Sequence, residues 1–349
     1  MRYFLRFLFL ILLNVNWCFA QDLSFSDSAF FSALLNHQPA IDLNQDRIIS
    51  QAEAIVVKQL FLSGKSISNV QELAYFSGLE RLDLSHNQID SIDLGQCPKI
   101  SWLKLDHNKL QKLDLSGLPM LQFLSVNDNH IAHLHLDHNP MLDTLHCDHS
   151  HVHHLKLNNC HRLQYLSCAH NELDSLNLSD TPGLMYLDAH ANIFKQIKGL
   201  EQLSQLQYAD LEDGRLRELD VSACVNLKFL FAGTNPALIQ ICLNDAQLQI
   251  SGQCSIDACF HKDSSAQWSN RCGRVTGRLR ITSQKGKAYP NPSKGLVHFA
   301  EPIFQIRDLL GNEVFSNSSG VNKVELNQPA GYYYAITAEG EALPFVLNP

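Results

Sequence analysis

Three groups of residues have types and spacings that could do chemistry. The first is an oxygen-rich loop. Asp42, Asn44, Asp46, Ser50 and Glu53 fall at its positions 1, 3, 5, 9 and 12, with the Ile48 carbonyl available between them. A hard cation such as calcium needs several oxygens converging from one tight loop. Position 6 is Arg47 rather than the glycine that a sharp turn favours. The plainer reading is a capping box, with Ser50 and Glu53 starting a helix.

The second group is the histidines, 17 in all. His86, His107, His149 and His170 recur in one register with Asp128 among them, as do His130 with His151 and His133 with His154. Imidazoles stacked one above another could hold zinc or copper, given a third ligand such as Asp128 or Asp148. The plainer reading is that a repeat copies whatever residue occupies a variable position. The third group is Cys242, Cys254, Cys259 and Cys272. In an oxidising compartment these give up to two disulfides in one of three connectivities, with zinc the lesser reading.

No catalytic constellation appears. There is no G-x-S-x-G, no nucleotide loop and no HExxH spacing, so the expectation is a protein that is not an enzyme. At net charge −8 with no basic run, nucleic acid is not an expected partner.

The element that must position these residues is a repeat of about 21 residues. LERLDLSHNQIDSIDLGQCPK (79–99) is followed by ISWLKLDHNKLQKLDLSGLPM (100–120), LQFLSVNDNHIAHLHLDHNPM (121–141) and further copies to about residue 247. A period in the twenties with L-x-x-L-x-L-x-x-N in each copy marks a solenoid whose leucines stack into one core. Asn87, Asn108, Asn129, Asn171, Asn192 and Asn235 recur in one register, where an amide can satisfy turn backbone groups. They are read as scaffold.

These copies resemble leucine-rich repeats, of the short type found in surface proteins of Bacteroidota. The resemblance implies a leucine-rich repeat solenoid with a curved parallel β-sheet. A small helical N-terminal cap precedes it and a C-terminal all-β sandwich follows. Each L-x-x-L-x-L segment then supplies one strand, and its non-leucine positions face the concave side. Trp102, Phe123, Tyr165, Tyr186, Tyr208 and Phe229 form an aromatic column there, beside polar positions that include Asp188 and Asp210. An exposed aromatic row beside polar groups is the usual chemistry of a surface that binds a protein or stacks on sugar rings. The alternative is that the rings pack on one another along the sheet.

The two ends read differently. Residues 1–20 have a positive start, a short apolar core and Cys18-Phe19-Ala20 at the end, the pattern of a signal peptide. The apolar run is too short to span a bilayer comfortably, and no other long one exists, so no transmembrane segment is expected in the mature chain. Residues 21–56 form the helical cap, and its loop resembles a calcium site of the EF-hand or dockerin kind. Residues 57–247 are the repeats, 248–275 the cysteine-containing cap and 276–287 a linker. Residues 288–349 alternate with period two. There, Tyr289-Pro290-Asn291-Pro292, Asp308 to Gly311 and Pro329 to Tyr333 resemble the C-terminal sorting domain of the type IX secretion system. That resemblance implies passage through outer-membrane secretion machinery, leaving the body secreted or attached at the cell surface. Two functions follow from the sequence: recognition or adhesion through the concave face, or a structural surface component without a discrete ligand. A histidine-based metal binder is a lesser third.

Overall fold

The computed structural model describes residues 22–251, 259–270, 296–308, 313–325, 331–337 and 342–347. The signal-peptide stretch, Cys254, Cys272 and the motif from Tyr289 to Gly295 lie outside the described residues. The chain divides into two compact units, Met1–Leu163 and Gln164–Pro349.

In the first unit, α1 (Ser28–Leu35) and α2 (Gln51–Ile55) build the N-terminal cap. Asp27 starts α1: one carboxylate oxygen accepts from the Ala29 and Phe30 amides at 2.8 and 2.9 Å. The other accepts from the Ser68 amide, the Ser68 hydroxyl and the Asn69 amide at 2.7, 2.8 and 2.9 Å, which ties the cap to the first repeat turn. Burial alone would raise this carboxyl, but the donors from Phe30, Ser68 and Asn69 outweigh it and lower it from 3.8 to about 2. The stabilisation is therefore complete above about pH 4 and is lost as pH falls through about 2. Asp27→Asn keeps a cap acceptor but points an amide at the Ser68 and Asn69 donors. It is expected to cost about 1–2 kcal/mol at neutral pH and nothing near pH 2, as read by urea melts at the two pH values.

The repeats of this unit each contribute a three-residue strand to a parallel sheet. These are β1 (Gln59–Phe61), β2 (Arg81–Asp83), β3 (Trp102–Lys104), β4 (Phe123–Ser125) and β6 (Thr144–His146). The register runs Arg81↔Trp102, Trp102↔Phe123 and Phe123↔Thr144, one repeat per rung. A second short ladder pairs β5 (His133–His135) with β7 (His154–Lys156). Leu82, Leu103 and Leu124, at the centre of each strand, point inward and are fully buried.

The asparagine register closes the turns. Asn129 donates to the Leu105, Val126 and Asn127 carbonyls at 2.9, 3.1 and 3.1 Å and accepts from the Leu110 amide at 3.1 Å. Asn108 repeats the set on Leu84, Leu105 and Asp106. The residue before each asparagine carries a left-handed backbone: φ is 56° at His86, 52° at His107 and 54° at Asp128. His and Asp tolerate that region better than most residues, which explains the His-Asn pairs without a metal.

The second unit repeats the plan. Its first sheet contains β8 (Tyr165–Ser167), β10 (Tyr186–Asp188), β12 (Tyr208–Asp210), β14 (Phe229–Ala232) and β16 (Cys259–Lys262), all parallel. Opposite ladders pair β9 (Ser175–Asn177) with β11 (Gln196–Lys198), and β13 (Glu218–Asp220) with β15 (Gln240–Cys242) and β17 (Gln267–Ser269). Strand pairing thus runs on through β16 and β17, inside the stretch that the sequence assigns to the cysteine-containing cap. A capping box of Asn244 and Gln247 starts α3 (Asp245–Ile250). Asn192 and Asn235 close turns as Asn129 does.

The C-terminal strands are β18 (Leu296–Asp308), β19 (Glu313–Glu325), β20 (Gly331–Thr337) and β21 (Ala342–Leu347). They form one antiparallel sheet in the order β19-β18-β20-β21. A second layer, as a sandwich would have, is not among the described residues.

Candidate functional site

The parallel strands of the two units present surfaces of different character. In the first unit the outward side chains are large and accessible. Phe61 is 44% exposed, and Trp102 and Phe123 are half-buried. The Arg81 guanidinium sits 4.8 Å from the Trp102 ring centroid and 5.8 Å from Phe61. Trp102 stacks on Phe123 at 5.3 Å, and Lys104 Nζ lies 5.9 Å from the indole. Polar neighbours are held in place: Asp106 accepts from the Ser125 hydroxyl at 2.5 Å and the Asn127 amide at 2.8 Å. Burial pushes the Asp106 carboxyl up, against the Ser125 hydrogen bond and the nearby Lys104 charge. The result is a rigid aromatic surface with a stacked cation, the composition that dominates protein interfaces.

In the second unit Tyr165, Tyr186, Tyr208 and Phe229 do form the column that the register implies, but they are only 3–6% exposed. Tyr186 stacks on Tyr165 at 4.3 Å and on Tyr208 at 4.4 Å, the latter pair within 3° of parallel. Rungs about 4.8 Å apart are close to ring-stacking distance, so equal-sized rings in one register cover one another. The predicted column is therefore half-buried at Trp102 and Phe123 in the first unit and a packed stack in the second. Burial holds the Tyr186 hydroxyl well above its ordinary value, with Tyr208 adding to it.

Beside that stack lies an ionisable cluster. Asp188 and Asp210 are register partners on β10 and β12. His190 Nδ1 is 2.6 Å from Asp188 Oδ1 and His190 Nε2 is 3.0 Å from His170 Nε2. Asp210 Oδ1 accepts from the Glu212 amide at 3.1 Å, and Glu212 Oε1 meets His261 Nδ1 at 2.9 Å. Burial, then the Asp188 carboxylate, push Asp210 up to about 8, although His190 pulls the other way.

The sequence singles out Asp188 and Asp210 but not His261, which falls where the repeat has dissolved; only its pairing opposite Phe231 reveals its place. Phe61 is missed for the same reason, since it sits in the degenerate first copy.

The other predicted sites are placed as follows. In the Asp42–Glu53 loop, Asp42 Oδ2 accepts from the Arg47 amide at 2.8 Å and Asp46 Oδ1 from the Ile48 amide at 2.8 Å. Asn44 Nδ2 donates to Asp46 Oδ2 at 2.7 Å. Glu53 completes the capping box with Ser50 and also accepts from the Leu43 amide at 2.8 Å. Arg47 takes φ 66°, the left-handed turn that position 6 demands. Asp42 Oδ1 is buried without a hydrogen-bond partner.

Among the histidines, His86 stacks on His107 at 4.3 Å and His133 on His154 at 5.1 Å, while His130 meets His151 edge-on at 5.5 Å. Among the described residues, the three-ligand grouping lies instead at Asp188, His190 and Asp210. Cys97, Cys147, Cys160, Cys168 and Cys224 are buried in the repeat core. Burial pushes Cys97 up to about 11 and Cys224 up to about 12, so they act as apolar filler. Cys242 and Cys259 are buried and stand apart from that group.

Residues 56–110 and 78–131 match the family model described as Leucine rich repeat. The chain therefore carries leucine-rich repeats, in a parallel-strand solenoid with few helices. Similar solved structures include internalin C2 of Listeria monocytogenes, 24% identical with TM-score 0.47, covering 63% of this chain and 94% of that one. They also include the leucine-rich-repeat protein LIC12759 of Leptospira interrogans, 22% identical with TM-score 0.44, covering 61% and 69%. No curated protein matches the chain. No described helix is long and apolar enough to cross a membrane.

Proposed function

We propose that this protein is a non-enzymatic recognition module that binds a protein ligand on the strands β1 to β4. The observation that carries the reading is the accessible patch of Phe61, Arg81, Trp102 and Phe123, where a guanidinium lies 4.8 Å from the indole centroid. Aromatic and arginine side chains on a rigid surface offer large contact area and lose little entropy on binding. The signal-peptide pattern of residues 1–20 and the sorting-domain resemblance of residues 288–349 support export through type IX machinery and adhesion at the cell surface. A disulfide framework among Cys242, Cys254, Cys259 and Cys272 belongs to the same proposal, since an exported chain meets an oxidising compartment.

The test is a panel of matrix proteins and glycans presented to the purified full chain. Saturable binding to a protein, competed by that protein in solution, supports the reading. Saturable binding to glycans alone moves the ligand class to carbohydrate. Non-saturating association throughout leaves a structural surface component in its place.

Calcium is proposed as an occupant of the Asp42–Glu53 loop. The left-handed Arg47 and the unpartnered, buried Asp42 Oδ1 support it. Calcium would close the open end of the solenoid. Addition of about 1 mM calcium is expected to raise the melting temperature, and Asp42→Asn to remove that rise. An unchanged melting temperature leaves the capping box as the loop's whole role.

A further inference from the structure

Asp188 and Asp210 occupy matched positions on adjacent parallel rungs, and His190 lies two residues beyond Asp188. Residues two apart on extended chain point to the same side, so two rungs aim three ligand side chains at one place. One ligand atom from each lies within 4.8 Å of the others. Asp210 is 3% exposed and His190 7%, so the cluster is walled in rather than spread over the surface.

We propose that Asp188, His190 and Asp210 bind a divalent transition-metal ion of the zinc class, with His170 orienting His190 from behind. The donor set decides the class. Two carboxylates and an imidazole suit zinc or its neighbours, whereas calcium and magnesium ask for more oxygens than these residues offer. Zinc holds such ligands at about 2.0–2.2 Å, which small side-chain rotations reach from the present separations. The ion takes the place of the hydrogen between His190 Nδ1 and Asp188 Oδ1. The neutral imidazole then carries its hydrogen on Nε2 and donates it to His170 Nε2, now 3.0 Å away. A metal-bound histidine commonly has such an outer partner on its second nitrogen.

The edge of the site is fixed from the rung of Asp210 itself and from the strand that carries His261. The Glu212 amide donates to Asp210 Oδ1, and Glu212 is itself held by His261. Three protein ligands leave a fourth position open, to water or to a carboxylate or imidazole of a partner. The site stands independently of the recognition patch in the first unit, because it uses none of those residues.

The experiment is a zinc titration by calorimetry of chelator-treated full chain, repeated with Asp210→Asn, with His190→Gln and with the paired control His133→Ala/His154→Ala. The expected result is one tight equivalent with a dissociation constant below roughly 10 μM. That equivalent weakens at least about tenfold in Asp210→Asn and His190→Gln and is unchanged in the control. Circular dichroism melts establish that each variant is folded. Cobalt(II) in place of zinc gives a second readout, an absorption spectrum that His190→Gln alters. No tight equivalent in the wild type overturns the proposal. So does one that survives both cluster variants or disappears in the histidine-pair control.

Discussion

Asn129→Ala is expected to lower the stability of the repeats by about 3–5 kcal/mol, near the upper end of single-substitution effects. Asn129 is fully buried, and its amide serves three carbonyls while its oxygen takes the Leu110 amide. Alanine leaves all four backbone groups without that partner in a dry turn. Each unsatisfied buried group costs about 1–3 kcal/mol, reduced where a group keeps another bond or a water enters. The next repeat shows what a smaller substitute achieves: Ser150 occupies the asparagine register, and its hydroxyl donates to the Val126 carbonyl at 2.7 Å. Asn129→Ser is therefore expected to cost about half as much as Asn129→Ala. Urea melts of the three proteins check this. A loss under about 1 kcal/mol in the alanine variant would mean that the turns are closed by something other than the asparagine register.

Tyr186→Ala is the second large effect, and it is one of stability. The ring lies between Tyr165 and Tyr208 at 4.3 and 4.4 Å and is 6% exposed. Removing it opens a ring-sized gap and ends two stacking contacts, for an expected cost of about 3–5 kcal/mol. Tyr186→Phe keeps the stack and is expected to cost under about 1.5 kcal/mol. The pair of melts separates the packing of the ring from its hydroxyl. If both substitutions cost little while ligand binding is lost, the tyrosine column is itself the contact surface and the accessible patch of the first unit is secondary.

Much of this was legible in the chain, because a solenoid assigns each residue one position per turn. The register alone places Leu82, Leu103 and Leu124 inside and the asparagines at the turns, and they are found there. The register gives the direction of a side chain but not what lies against it. Trp102 and Tyr186 share one register position, yet one is half-open and the other closed. The difference comes from neighbours: three tyrosines in succession stack as equals, while Trp102 has Arg81 on one side and Phe123 on the other. Where the repeat decays, the register fails. Phe61 in the first copy and His261 near the last are therefore visible only through strand pairing. The number of histidines alone does not mark a metal site. Five of them, His86, His107, His149, His151 and His170, sit in a left-handed turn, and the three-ligand grouping uses His190, which belongs to none of the stacked columns singled out from the sequence.

The measurement that tests the central claim most directly is the affinity of the full chain and of Trp102→Ala for the tightest protein bound in the panel. Trp102 supplies the stacked centre of the accessible patch without filling the leucine core. Its truncation is expected to cost at least about 2 kcal/mol of binding, close to a 30-fold loss, with the melting curve little changed. An affinity within about twofold of the wild type would contradict the account and remove the recognition site from strands β1 to β4.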